Sequence, residues 1–250
     1  MSSSPNHSTT AAPGSIIGAK PGRAPLTSML PTRMRCSGAL AVLAALSVFA
    51  VATDQFLGGS HDLDRALLFG SAAPFDHAGP IGSKRLADLA WSFTALGSPE
   101  LVALLTAAAT GFLVFSRKYR VALFVCATVG SGTAFAYLLK RIFGSLRPHH
   151  APGEMIETVF NTSFPSGHAM LAALLYGSLA TLVPSIAPRN RLLSYYAAAL
   201  AIGLTGGVGL SRLFLGLHWP SDVAAGWVAG ALWVALCYSG LHTSKLDDQP

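Results

Sequence analysis

Three short polar sequences interrupt an otherwise apolar chain, and their residue types suit phosphoryl chemistry. They are Lys140-x6-Arg147-Pro148, Pro165-Ser166-Gly167-His168 and Ser211-Arg212-x5-His218-x3-Asp222. Together they carry three cations, two imidazoles and one carboxylate. Ionisable groups at or inside a membrane point to a functional site by default. The guanidinium of Arg147 is a planar fork of donors matched to phosphate oxygens, and Lys140 adds a mobile point charge. Pro148 stiffens the chain just after Arg147. Residues 165–168 read as a helix start. Ser166 is suited to the N-cap, and Gly167 exposes backbone N–H groups with no side chain in the way. A phosphate can sit on such amides while His168 reaches it from the first turn. In the third sequence Pro220 is placed to open a helix with Asp222 in its first turn. A carboxylate so close to His218 can hold one ring nitrogen protonated and leave the other lone pair to attack.

Each sequence also has a plainer reading. Lys140 and Arg147 could be interfacial anchors, and residues 165–168 an ordinary capped helix. An Arg212–Asp222 ion pair could tie two helix ends together, although that leaves His218 unexplained. A zinc site of His168, His218 and Asp222 is conceivable, but three neighbouring positive side chains oppose it. One firmly placed carboxylate is too few for magnesium, and the cations already supply charge stabilisation. No metal or other cofactor is therefore expected.

These residues must be held by membrane helices. The 250-residue chain is 52% hydrophobic and only 11% charged, against about 25% charged for an average soluble domain. Much of its surface must face something other than water. The net charge of +6 comes without zinc-finger spacing, a basic helix or interleaved aromatic and basic residues, so nucleic acid is not an expected partner. Cys36, Cys126 and Cys237 are far apart in apolar runs, which suits buried thiols rather than a disulfide framework.

The pattern predicts an all-α membrane bundle of six transmembrane helices, at residues 36–52, 101–116, 121–139, 169–183, 192–210 and 223–241. A cleaved signal is the lesser alternative for the first run, which lacks a convincing cleavage motif. Residues 1–32, rich in Ser, Pro, Thr, Gly and Ala, read as a disordered cytoplasmic tail. The membrane domain is expected at 33–242, with a short cytoplasmic tail at 243–250. Charged residues break up 54–91, where short amphipathic helices around 63–69 and 83–93 would lie on the membrane surface. Six spans put both termini on one side. Ten basic residues fall on that side against seven on the other, or four once Lys140, Arg147 and Arg212 are set aside. The termini are therefore expected in the cytoplasm. Lys140, His168, Arg212, His218 and Asp222 then all fall at the opposite membrane edge.

At every defining position these three sequences match the signature of the type 2 phosphatidic acid phosphatase (PAP2) family, and residues 90–240 resemble its membrane lipid phosphatase branch. That family is related to the bacterial acid phosphatases and vanadium haloperoxidases. The resemblance implies a metal-independent phosphatase of the bacterial inner membrane with its site facing outward. His218 would be the nucleophile and form a phosphohistidine. Asp222 would orient it, and His168 would serve as general acid and then base. Lys140, Arg147, Arg212, Ser166 and the Gly167 amide would hold the phosphoryl oxygens. A lipid phosphate or pyrophosphate is the implied substrate. Undecaprenyl pyrophosphate suits an outward site best, with phosphatidic acid, phosphatidylglycerol phosphate and phosphorylated lipid A as alternatives. A lipid phosphotransferase and a non-catalytic membrane protein of the same fold are the competing functions. The loop 141–164, with His149, His150, Glu154 and Glu157, reads as a solvated connection.

Overall fold

The computed structural model describes Ala50, Asp64 and residues 84–143, 162–186 and 189–243. All of them belong to one compact unit, Leu40–Pro250. Among the described residues six helices follow in order: α1 (Lys84–Ala95), α2 (Pro99–Phe115), α3 (Tyr119–Ile142), α4 (Gly167–Ile186), α5 (Arg191–Phe214) and α6 (Pro220–Thr243). Local chemistry sets several of their ends. Ser98 caps α2 by accepting from the Leu101 N–H at 3.2 Å, with Pro99 at the first helical position and Glu100 in the first turn. Asn190 caps α5 in the same way, accepting from the Leu193 N–H at 3.0 Å. After α5 the chain turns at Gly216, whose φ of 65° suits a residue without Cβ. The Leu217 N–H donates to Arg212 O at 3.0 Å and the Gly216 N–H to Leu213 O at 2.9 Å. That pair of bonds is a Schellman motif, and it delivers His218 two residues later.

The bundle is built around α4. More than half of its span is buried (56%), against 22–39% for α3, α5 and α6. Met170, Leu174 and Leu175 on α4 form one core with Val102 of α2, Val129 of α3, Val208 of α5 and Val234 of α6. The outer faces are apolar too: Leu104, Phe112, Leu123, Ile202 and Leu236 are exposed. Water does not favour such a surface, whereas lipid chains do.

The six expected spans are not all found among the described residues. Among the described residues, four helices are long and apolar enough to cross a membrane: α3, α4, α5 and α6. A fifth is reached only if α1 and α2, which meet at a 47° bend, count as one broken span. The physical reason is length. The 17 residues of α2 rise about 26 Å at about 1.5 Å each, short of a hydrocarbon core of about 30 Å. Residues 83–93, expected as a short amphipathic helix, lie largely in α1. This helix packs on α5 and buries Ala90 and Thr94. The run 36–52, the tail 1–32 and the helix 63–69 lie outside the described residues except for Ala50 and Asp64, and residues 244–250 lie outside them entirely. Six alternating spans therefore no longer place both termini on one side. The alternation of α3, α4, α5 and α6 brings the polar sequences to one end of the bundle.

Candidate active site

Five of the expected residues, Lys140, Gly167, His168, Arg212 and His218, line one cavity of about 100 Å³. Pro99, Ala136, Tyr137 and Leu171 complete its wall. Each polar group comes from a helix end. Lys140 lies in the last turn of α3, Gly167 and His168 open α4, Arg212 lies in the last turn of α5, and His218 precedes α6. The cavity is thus cationic at the bundle end and apolar along α2, α3 and α4.

Lys140 is buried, and its Nζ donates to Thr162 O at 2.9 Å. Its stem runs across the start of α4, where a Cβ on Gly167 would lie 3.3 Å from Lys140 Cε. Gly167 therefore lets a lysine pass close over the first helical amides. Arg212 is also buried and donates from a terminal guanidinium nitrogen to Thr94 Oγ1 at 3.2 Å. Ser166 occupies the position before α4, and its carbonyl accepts from the Met170 N–H at 3.1 Å. Its side chain does not cap the helix as expected. Ser166 Oγ is fully buried and has no hydrogen-bond partner among the described residues. Buried hydroxyls are rarely left so, and this one stands beside amides that helix geometry leaves without intrahelical acceptors.

His218 and Asp222 are both fully buried, with His218 Nδ1 3.5 Å from Asp222 Oδ2. That carboxylate oxygen also accepts from the Trp219 N–H at 2.9 Å. Trp219 precedes α6 and Asp222 is its third residue, so the carboxylate closes the reciprocal half of a capping box. Ser163 Oγ donates to the same oxygen and lies 3.3 Å from His218 Nδ1. The start of α4 is tied to the start of α6 by the Ser166 N–H donating to Asp222 O at 3.0 Å. Arg147 and Pro148 lie outside the described residues. Among those residues, no three His, Cys, Asp or Glu side chains converge as a metal-ligand set.

Sequence reasoning missed four contributors. Ser163 and Thr94 are neutral residues in unremarkable surroundings. Gly97, at the α1–α2 bend, approaches α4 so closely that a Cβ there would lie 2.8 Å from His168 O. Asp64 is buried, and its carboxylate accepts from both the Ser221 N–H (2.9 Å) and Ser221 Oγ (2.6 Å). It therefore anchors the first turn of α6, where negative charge also suits the helix dipole. Its only sequence signal was a carboxylate inside an otherwise ambiguous stretch. Asp64→Ala should lower stability by about 1–3 kcal/mol, since it strips acceptors from two donors of Ser221. Thermal unfolding in detergent measures this, and an unchanged midpoint would show that the anchor contributes nothing.

A family model described as the PAP2 superfamily matches residues 121–245. Decaprenylphosphoryl-5-phosphoribose phosphatase of Mycobacterium tuberculosis is 36% identical over 125 residues, covering 48% of this chain and 62% of the relative. Phosphatidylglycerophosphatase B of Bacillus subtilis is 32% identical over 124 residues, covering 48% of this chain and 58% of the relative. The chain thus spans about six-tenths of the length of these curated relatives. In fold it is similar to the crystal structure of a transmembrane PAP2 type phosphatidylglycerolphosphate phosphatase from Bacillus subtilis. The TM-score is 0.68 at 24% identity, covering 81% of this chain and 96% of that one.

Proposed function

Because this chain belongs to the PAP2 superfamily, we propose that it hydrolyses a lipid phosphate or pyrophosphate without a metal, through a phosphohistidine. The observation that carries this reading is the meeting of Lys140, His168, Arg212 and His218 on one cavity from four helix ends. His218 Nε2 attacks the terminal phosphorus, and the bond from that phosphorus to the leaving oxygen breaks, the lipid oxygen in a monoester and the bridging oxygen in a pyrophosphate. His168 gives that oxygen a proton. Water then attacks phosphorus and passes a proton to His168 as the phosphorus–nitrogen bond breaks, which releases inorganic phosphate and restores both histidines. Lys140, Arg147, Arg212, Ser166 Oγ and the Gly167 amide hold the phosphoryl oxygens as charge shifts between them. Asp222 orients His218. The side-chain oxygen of Ser166, buried without a partner among the described residues, suits an acceptor that arrives with the substrate.

The apolar wall of Pro99, Ala136 and Leu171 suits a phosphate carried on a lipid. Undecaprenyl pyrophosphate is the preferred substrate, supported by the polyprenyl-linked activity named for the mycobacterial relative. Phosphatidylglycerol phosphate is the second reading, supported by the activity named for the Bacillus relative. In this reading the protein lies in the bacterial plasma membrane with the cavity facing outward. Arg117, Lys118 and Arg189 lie in the connections at the far ends of α3 and α4, with Arg120 and Arg191 in the adjoining first turns of α3 and α5, and positive charge at such short connections favours the cytoplasm. The end of α6 then also lies on the cytoplasmic side.

Phosphate release from purified undecaprenyl pyrophosphate, phosphatidic acid and phosphatidylglycerol phosphate in detergent tests this. At least one should be turned over, and EDTA should leave the rate nearly unchanged. Release that vanishes in EDTA and returns with magnesium would overturn the metal-independent mechanism. Product appearing on an added acceptor lipid instead of as free phosphate would favour a phosphotransferase.

A further inference from the structure

We propose that Ser163 is a positioning residue that connects His218 to Asp222 and fixes the proton on His218 Nδ1. The inference rests on the reading of His218 as nucleophile. Ser163 is fully buried, and its single hydroxyl proton has a clear destination. Its Oγ donates to Asp222 Oδ2, because an ionised carboxylate can only accept. With that proton committed, Oγ presents a lone pair to His218 Nδ1 at 3.3 Å. Nδ1 must then carry hydrogen, and the lone pair of the neutral ring sits on Nε2. The direct path is longer, with Nδ1 at 3.5 Å from Oδ2, beyond the usual N–H···O range of about 2.7–3.2 Å. Asp222 Oδ2 is also engaged by the Trp219 N–H. The serine is therefore the better placed of the two acceptors for the ring N–H.

The segment holding Ser163 is clamped on both sides. Thr162 O accepts from Lys140 Nζ. Phe164 is buried against Ala225 of α6 and stacks edge-on to Phe143 at 5.4 Å between ring centres. Ser163 is thus tied by its neighbours to the end of α3 and by its hydroxyl to the start of α6. The orientation of the nucleophile then depends on a residue delivered with the phosphate-binding strand of chain, two positions before Pro165. As positive charge develops on the ring during attack, the hydroxyl dipole and the carboxylate behind it stabilise that charge. No proton leaves the chain of bonds.

The test uses the purified full chain with undecaprenyl pyrophosphate and phosphatidylglycerol phosphate as probes. Ser163→Ala should lower kcat about 10- to 100-fold, the range typical when a group orienting a histidine is lost, with KM changed less than about 2-fold. Ser163→Thr, which keeps the hydroxyl, should recover part of that loss. Selective ¹⁵N-histidine NMR should show His218 protonated at Nδ1 in the parent and a mixture of tautomers in Ser163→Ala. An unchanged kcat in Ser163→Ala, or full retention of the Nδ1–H tautomer, would overturn the proposal. If Ser163→Ala does not fold, Asp222→Asn decides. The serine can still donate to the side-chain oxygen at 222, so the Nδ1–H tautomer should persist. A shift to Nε2–H would mean the new amide faces the ring directly, and the relay would be wrong. Should the parent release phosphate from neither of these lipids nor from phosphatidic acid, the hydrolase reading falls, while the tautomer measurement still decides the relay.

Discussion

His218→Ala should abolish phosphate release, lowering kcat by about 10⁴- to 10⁶-fold, the scale of losses when a nucleophile is removed. Among the described residues, no other group at the cavity is placed to take over the attack. The remaining polar groups described there are cations, a second imidazole at the start of α4, the Tyr137 phenol, and an alcohol on Ser166 that lacks a base bonded to it among the described residues. The protein should nonetheless fold. Asp222 keeps the Trp219 N–H and the Ser163 hydroxyl as donors, so removing the ring leaves no buried carboxylate stranded. The Gly216 turn is made by backbone bonds alone, and α6 keeps its Asp64 anchor. The ring does leave a small cavity, and a cost of about 1–3 kcal/mol is expected from the lost packing. Steady-state phosphate release and thermal unfolding, measured together, separate the two effects. Release within ten-fold of the parent by a folded variant would remove His218 from the chemistry.

Lys140, His168, Arg212, His218 and Asp222 were legible in the sequence because each is a charged or titratable group in an apolar run. Such placement is costly enough to advertise itself. Their convergence was legible as well, since alternation of α3 to α6 requires only that four strongly apolar segments be recognised. The span count was not, because α2 is apolar enough to read as a span but too short to cross alone. Residues 96–98 stop one helix and Ser98 caps the next, so the apolar run from α1 into α2 bends by 47° rather than continuing. That bend brings Thr94 to Arg212 and Pro99 to the cavity, which a straight span would not do. Ser163 and Asp64 were illegible for a different reason. A neutral hydroxyl in a loop and a carboxylate in a mixed stretch acquire meaning only from what lies across the fold, 59 and 157 residues away.

The seam between α4 and α6 is the point where a single methyl group should do the most harm. A Cβ on Gly226 would sit 2.6 Å from Ser166 O, 3.1 Å from Ala169 Cβ and 3.2 Å from Met170 N. One turn on, a Cβ on Gly230 would lie 2.7 Å from Ala173 Cβ and 2.8 Å from Met170 O. Glycines at this spacing let two membrane helices rest backbone on backbone. Ser166 O cannot move aside without loosening the bond it accepts from Met170, which closes the first turn of α4. Gly226→Ala therefore has to push α6 away from α4. Helix propensity alone would favour alanine by about 1 kcal/mol, but overpacking of about 1–3 kcal/mol opposes it and should win. Gly203→Ala, at an exposed position with nothing within 4 Å, should show only the gain. The larger consequence is for catalysis. Gly226 lies one turn below Asp222, so separating the helices pulls the His218 side of the cavity from Gly167 and His168 and strains the Ser166–Asp222 backbone bond. A displacement of about 1 Å is enough to cost about 10²-fold in rate. Gly226→Ala should accordingly lose about that much kcat while unfolding at a lower temperature than Gly203→Ala. Equal midpoints and equal rates for the two would mean that the α4–α6 contact does not set the geometry of the site.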